Sequence, residues 1–267
     1  MGSCRYIGVL MELVLQVLIT VIVFLLGASI YSFLNVVRFR LPRKMDFIRG
    51  RSICPACKRE LTGKDLVPVF SYLLLRGRCR YCGDRIPADS LLTELVGGVS
   101  AALAGYILGW NIQTAVIWLF FSILFEVALL DAQTMEIPDG FVAALALIGL
   151  AGILTGPSLP LAERLIGVFS VSVPLLLLTL LIPGAFGGGD IKMMAACGLF
   201  LGWKLSLVAL FLAVVTGGFY GIYLLAAGKK GRKEHFAFGP FLCAGMFLAY
   251  FWGTPLLDWY LGLLALN

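Results

Sequence analysis

Eight long runs of apolar residues, near 10–37, 91–109, 113–130, 141–156, 165–183, 191–203, 205–227 and 239–257, constrain this chain of 267 residues more than any other feature. A helix that crosses a bilayer needs about 20 mostly apolar residues, and every backbone N–H and C=O inside it must be satisfied within the segment. The runs therefore predict an all-α polytopic membrane protein with about eight transmembrane helices. Composition agrees: 60% of residues are hydrophobic and 13% charged, where soluble domains carry roughly a quarter charged. A disordered chain and a large separate soluble catalytic domain are both excluded. The first run is far longer than the apolar core of about 7–15 residues in a signal peptide, and no small-residue cleavage site follows, so it reads as a retained helix.

One polar stretch interrupts the apolar pattern and divides the chain. Residues 1–37 read as a first transmembrane helix, 38–90 as an insertion, and 91–267 as seven closely spaced helices. Thirteen of the 21 Lys and Arg residues lie between Arg38 and Arg85, and Lys229, Lys230, Arg232 and Lys233 form a second cluster. An even number of spans places both termini on one side. With the insertion in the cytoplasm, Lys192 and the second cluster are cytoplasmic too, and only Arg5, Arg164 and Lys204 fall outside. The excess of basic residues in cytoplasmic loops sets this orientation, with both termini outside. The net charge of +6 is thereby accounted for without a nucleic-acid partner.

Within the insertion, Cys54-Pro55-Ala56-Cys57 and Cys79-Arg80-Tyr81-Cys82 form a C-x2-C…C-x2-C pattern with zinc-ribbon-like spacing. Two such turns offer four thiolates to one ion and close a tetrahedral structural site. The competing readings are two disulfides or four unrelated cysteines; a reducing cytoplasm disfavours disulfides. A bound zinc also suits a small cytoplasmic insertion with too few apolar residues for a core of its own. Cys4, Cys197 and Cys243 lie in or beside apolar spans and read as small core residues.

Two acidic residues stand where a membrane excludes charge. Asp131 ends the apolar run from Phe120 to Leu130, and Asp190 follows Gly187-Gly188-Gly189 and opens the next apolar stretch. Each alone is consistent with an interfacial helix end, and Asp190 with an ordinary N-terminal charge. As a pair they point to chemistry. Two neighbouring carboxyls cannot both ionise, so one keeps a proton while the other is charged, which supplies an acid and a base in one site. Glu126 reads as a hydrogen-bonding residue between helices, Lys192 as a cytoplasmic anchor close to Asp190, and Pro138 and Asp139 as the start of a helix. Phe238-Gly239-Pro240-Phe241 reads as a helix start and packing element. His235, the only histidine, has no identifiable triad partner.

Gly187-Gly188-Gly189-Asp190 resembles the G-x-G-D signature of intramembrane aspartic proteases, and Asp131-Ala132-Gln133-Thr134-Met135-Glu136-Ile137-Pro138-Asp139 resembles the D-x-x-T-x-x-I-P-D motif of the type IV prepilin peptidases. Ser32-Phe33-Leu34-Asn35 with Arg40-Leu41-Pro42, the four cysteines, Ser71-Tyr72-Leu73 with Leu75-Arg76-Gly77, Asp190-Ile191-Lys192 and Phe238–Phe241 follow the same family's motifs in order. The family's usual Gly is replaced by Tyr31, and its Arg-Tyr-Pro run by Asp89-Ser90-Leu91, with the Glu expected soon after present as Glu94. The resemblance implies a bacterial inner-membrane enzyme with Asp131 and Asp190 as catalytic residues. It would cut the leader from prepilins or pseudopilins after a Gly at the cytoplasmic face, then methylate the new amine with S-adenosylmethionine. No strand-led G-x-G-x-x-G unit exists, so a methyl-donor site would be built from the insertion and membrane helices. The rival readings are a peptidase without methyl transfer, an ion-coupled transporter, which also uses intramembrane carboxylates, and a noncatalytic zinc-bearing assembly protein.

Overall fold

The computed structural model describes residues 2–46, 52–54, 56–156, 159–227 and 236–265, with the side chains of 2–7 and 265 outside the description. The basic cluster at Lys229, Lys230, Arg232 and Lys233, together with His235, and the side chains of Cys4 and Arg5 therefore lie outside the described residues. The chain is helical almost throughout: α1 (Gly2–Arg40), α2 (Phe70–Leu74), α3 (Ala88–Leu108), α4 (Ile112–Thr134), α5 (Asp139–Thr155), α6 (Leu161–Ser170), α7 (Ser172–Leu181), α8 (Gly188–Ala226) and α9 (Gly239–Ala265). Six helical stretches among the described residues are long and apolar enough to cross a membrane, with α6 and α7 together forming one of them. The apolar helix α5, of 17 residues, is shorter.

The expected spans map onto these helices with one reorganisation. Runs 191–203 and 205–227 belong to a single 39-residue element, α8, broken at Gly202, whose φ of 74° and ψ of 172° leave the helical region. Only a residue without a Cβ adopts that left-handed conformation at no steric cost. The helices are apolar nearly all round, as expected of segments whose outer faces meet lipid and whose inner faces meet other helices.

The chain divides into two compact units, Met1–Trp118 and Leu119–Asn267. In the first, α1 packs along α3. The contact works because Gly97 of α3 leaves space for the buried ring of Tyr31: a Cβ on Gly97 would lie 2.2 Å from it. Asn35 Nδ2 donates to Thr93 Oγ1 at 2.6 Å, and Trp118 Nε1 donates to Ser100 Oγ at 3.0 Å. Small residues that admit close backbone approach, with a few hydrogen bonds between helices, are the usual means of association where lipid removes the hydrophobic drive.

In the second unit α8 is the central element, with α5, α6, α7 and α9 against it. The α6–α8 approach is so close that a Cβ on Gly198 would stand 2.1 Å from the Gly167 carbonyl oxygen. Phe120 stacks on Phe200 at 4.1 Å between ring centres. Arg164, assigned by charge to the non-cytoplasmic side, is only 4% exposed. Its guanidinium donates to the carbonyls of Gly152 and Gly156 at the end of α5, of Leu159, and of Leu199 and Phe200 just before the break in α8. Breaks in helices free backbone carbonyls that must find donors, and Arg164 satisfies the carbonyls of two helix ends at once.

Candidate active site and metal centre

Three segments of the second unit converge on one place. The first is the end of α4 and its exit. Asp131 lies in the last turn, and Thr134 stops the helix: its Oγ1 donates to the Leu130 carbonyl at 3.0 Å and accepts the Glu136 N–H at 3.3 Å. Met135 turns the backbone through φ 55° while its N–H still reaches the Asp131 carbonyl at 2.8 Å. Pro138, at φ −64°, then leads into α5 at Asp139. The spacing from Asp131 to Asp139 is thus the length of one helix stop and one helix start.

The second segment is the glycine run before α8. A Cβ on Gly189 would lie 2.9 Å from Cβ of Ile137, so this stretch lies flat against the α4–α5 turn. Lys192 Nζ reaches Asp139 Oδ1 at 2.8 Å across the same junction, with both side chains largely exposed. A pair of that kind contributes about 0–1 kcal/mol. It ties Lys192 to Asp139, where sequence reasoning linked it to Asp190.

The third segment is Phe238–Phe241. It does start a helix, as expected, and Phe238 packs on Phe186 with ring centres 5.4 Å apart. It also does something the sequence did not reveal: the Gly239 N–H donates to Asp131 Oδ2 at 2.9 Å. A Cβ on Gly239 would stand 2.6 Å from that same oxygen, so no other residue allows the contact. The only trace of this role in the sequence is the Gly-Pro pair placed at a helix start.

Asp131 and Asp190 are 5% and 8% exposed. The structure brings them close enough for their charges to act on one another, and both act on the buried thiol of Cys243. Asp190 Oδ1 is buried and has no hydrogen-bond partner among the described residues. A buried carboxyl oxygen without a donor is costly, and water or a substrate group is what a site of this kind accommodates. Glu126 is wholly buried in α4, consistent with a place between helices.

The first unit holds the four cysteines together. Their Sγ atoms lie within 4.8 Å of one another, and Cys54 and Cys82 are 3.8 Å apart at sulfur. Four thiolates about 2.3 Å from one zinc ion have tetrahedral edges of about 3.8 Å. Cys54, Cys57, Cys79 and Cys82 are all free thiols, so the two-disulfide reading fails. The two turns are built alike. The N–H of Cys54 reaches the Arg59 carbonyl and that of Cys79 the Asp84 carbonyl, while Lys58 and Gly83 return to the two cysteine carbonyls. Residues flanking the turns pair as Ile53 with Glu60 and Arg78 with Arg85. Asp65 braces the pair from the side. Hydrogen bonds from Thr62 and from Arg80, the latter at 2.6 Å, hold its carboxyl down at about 2.

Residues 25–108 match the bacterial peptidase A24 N-terminal domain, and residues 118–222 match the type IV leader peptidase family. The chain is 32% identical over 240 residues to the prepilin leader peptidase/N-methyltransferase of Bacillus subtilis, covering 90% of this chain and 97% of that protein. It is 30% identical to that of Aeromonas salmonicida, over 90% and 93% of the two chains. To that of Burkholderia pseudomallei it is 34% identical, over 80% and 71%. No solved structure shows significant similarity to it. Similarity at this level across both units, on a helical membrane fold that carries a four-cysteine cluster and a buried carboxyl pair, means that the chain belongs to the type IV prepilin leader peptidase/N-methyltransferase family of A24 peptidases.

Proposed function

We propose that the chain is a membrane aspartic endopeptidase that removes the leader of prepilins or pseudopilins after a Gly, with Asp131 and Asp190 as its catalytic residues. The observation that carries this reading is the buried carboxyl pair, oriented on one side by the Gly239 N–H and left with an unpartnered oxygen on the other. One carboxyl, ionised, takes a proton from water as the water oxygen bonds to the scissile carbonyl carbon. The other, protonated, polarises the carbonyl oxygen, and a proton passes to the departing amine as the C–N bond breaks. The pair shares its proton, so its titration belongs to both groups together.

The charge distribution supports a cytoplasmic position for 38–90 and for the ends of α4 and α8 that carry the two aspartates, with both termini outside. A prepilin with basic residues before the cleavage point and an apolar helix after it would then meet the carboxyls at the membrane surface. In this division 1–37 is an anchoring helix, 38–90 a zinc-stabilised insertion held by Cys54, Cys57, Cys79 and Cys82, and 91–267 the seven-helix peptidase part. The new N-terminal amine would take the methyl group of S-adenosylmethionine, the N–C bond forming as the methyl–sulfur bond breaks to leave a neutral thioether and a proton is released.

The test is leader cleavage by membranes containing Asp131→Asn or Asp190→Asn. Loss of acid–base catalysis lowers the rate about 100- to 10,000-fold in each. Cleavage at the parental rate by either variant overturns the reading.

A further inference from the structure

The insertion carries an exposed apolar face. Its most apolar stretch runs from Leu66 to Leu75 and contains α2. Val69, just before α2, is buried, and Tyr72 reaches back to the Ile86 carbonyl at 3.4 Å. Phe70, Leu73 and Leu74 are instead 50%, 59% and 81% exposed. Spacing of i, i+3 and i+4 puts these three side chains on one face of a helical turn. Leu66 and Val67, which are also exposed, extend the apolar surface toward Phe70. Contiguous apolar surface outside a core marks a place of interaction.

Two contacts fix where this face sits along the neighbouring spans. Glu94 Oε2 accepts the Val69 N–H at 2.8 Å, in a buried hydrogen bond. Glu94 stands six residues into α3, which begins at Ala88, a distance of about 9 Å at about 1.5 Å of rise per residue. Thr93 beside it accepts from Asn35, which lies five residues before α1 ends at Arg40. Both α1 and α3 are long and apolar enough to cross a membrane. The start of α2 is therefore alongside two spans, inside their ends, and not beyond them. Interfacial helices rest at a similar depth, with their apolar faces about 5–10 Å into the boundary between headgroups and acyl chains. The polar residues suit that level. Asp89 and Ser90 precede the apolar part of α3, and the exposed Arg76 and Arg78 follow α2, where cations meet negatively charged headgroups.

We infer that α2 is a lipid contact of the insertion: Phe70, Leu73 and Leu74 enter the bilayer surface beside α1 and α3, and Arg76 and Arg78 face the phosphates. A second copy of the chain is a poorer occupant. Three side chains on one turn fall far short of the roughly 20–30 residues a side that a stable protein interface uses. The bilayer already surrounds the spans on which α2 rests, so this contact costs no further loss of translational freedom. The insertion is then held to the membrane at three points, its two flanking spans and α2. Cys79 follows α2 by five residues, so the cysteine turns are kept close to the lipid surface.

The test is photocrosslinking of the full-length chain in liposomes of phosphatidylethanolamine and phosphatidylglycerol. A diazirine-bearing phenylalanine replaces Leu74, and mass spectrometry identifies what the carbene has inserted into. Lipid adducts are expected to exceed water adducts several-fold. Predominant water adducts overturn the inference, and so do predominant adducts to a second copy or to another segment of the same chain. A protease digestion pattern matching that of the parent reports that the insertion has kept its fold. Where the probe at Leu74 changes that pattern, the same probe at Leu73 decides. The readout requires neither leader cleavage nor methyl transfer, so its failure is distinct from failure of the proposed function.

Discussion

In the first unit the insertion from Cys54 to Cys82 closes on itself through two matched turns, four converging thiols and the Asp65 network, with few buried apolar side chains. In the second unit the helices meet at glycine distance, and most of the side chains buried between Phe120 and Ala249 are apolar. The comparison teaches that one chain uses two unrelated sources of order. Four sulfurs within 4.8 Å of one another offer a place for one ion, whose binding would hold the two turns together. Close-packed helices need only the absence of a side chain at the crossing. The two units therefore have different vulnerabilities.

The largest expected effect concerns the metal. Structural zinc contributes about 10–16 kcal/mol to small domains that fold around it. Stripping it with a strong chelator is expected to unfold the insertion and abolish methylation while the helical circular dichroism of the membrane part persists. Protease mapping that finds both regions equally opened would break the comparison. Next comes Gly239→Ala, whose added methyl sits where Asp131 Oδ2 now lies. If Asp131 is catalytic as proposed, displacing its carboxyl by about 1 Å is expected to lower cleavage by about 100-fold, with zinc content unchanged. The smallest effect is Gly198→Ala. Its methyl must push α6 away from α8, and overpacking of this kind costs about 1–3 kcal/mol. Thermal unfolding of the helices should shift downward, with no change in zinc affinity.

Much of this was legible in the sequence because it is local. Thr134, Met135 and Pro138 act on the backbone within a few residues of themselves, so the motif from Asp131 to Asp139 can be read directly as a stop followed by a start. The same holds for the cysteine turns, whose spacing points to the four-sulfur cluster that the structure brings together. What was not legible depends on partners distant in the chain. That Arg164 is buried was not legible because its partners are backbone carbonyls, which leave no mark in a sequence. The division between runs 191–203 and 205–227 was legible, but its placement at a kink in Gly202 depends on a backbone conformation that the packing around it imposes. The Gly239 amide, 108 residues from Asp131, looked like packing for the same reason.

The break at Gly202 has a mechanical meaning. Arg164 pins the far end of the segment that begins with Asp190, and at about 1.5 Å of rise per residue that segment is a lever of about 18 Å. A tilt of about 3° at the pinned end carries the carboxyl through about 1 Å, a distance that in the proposed peptidase reaction would be worth about 100-fold. The pin is a guanidinium, whose charge no accessible pH removes. The position of Asp190 relative to Asp131 is therefore tied to the opposite end of its own segment of α8, through Arg164.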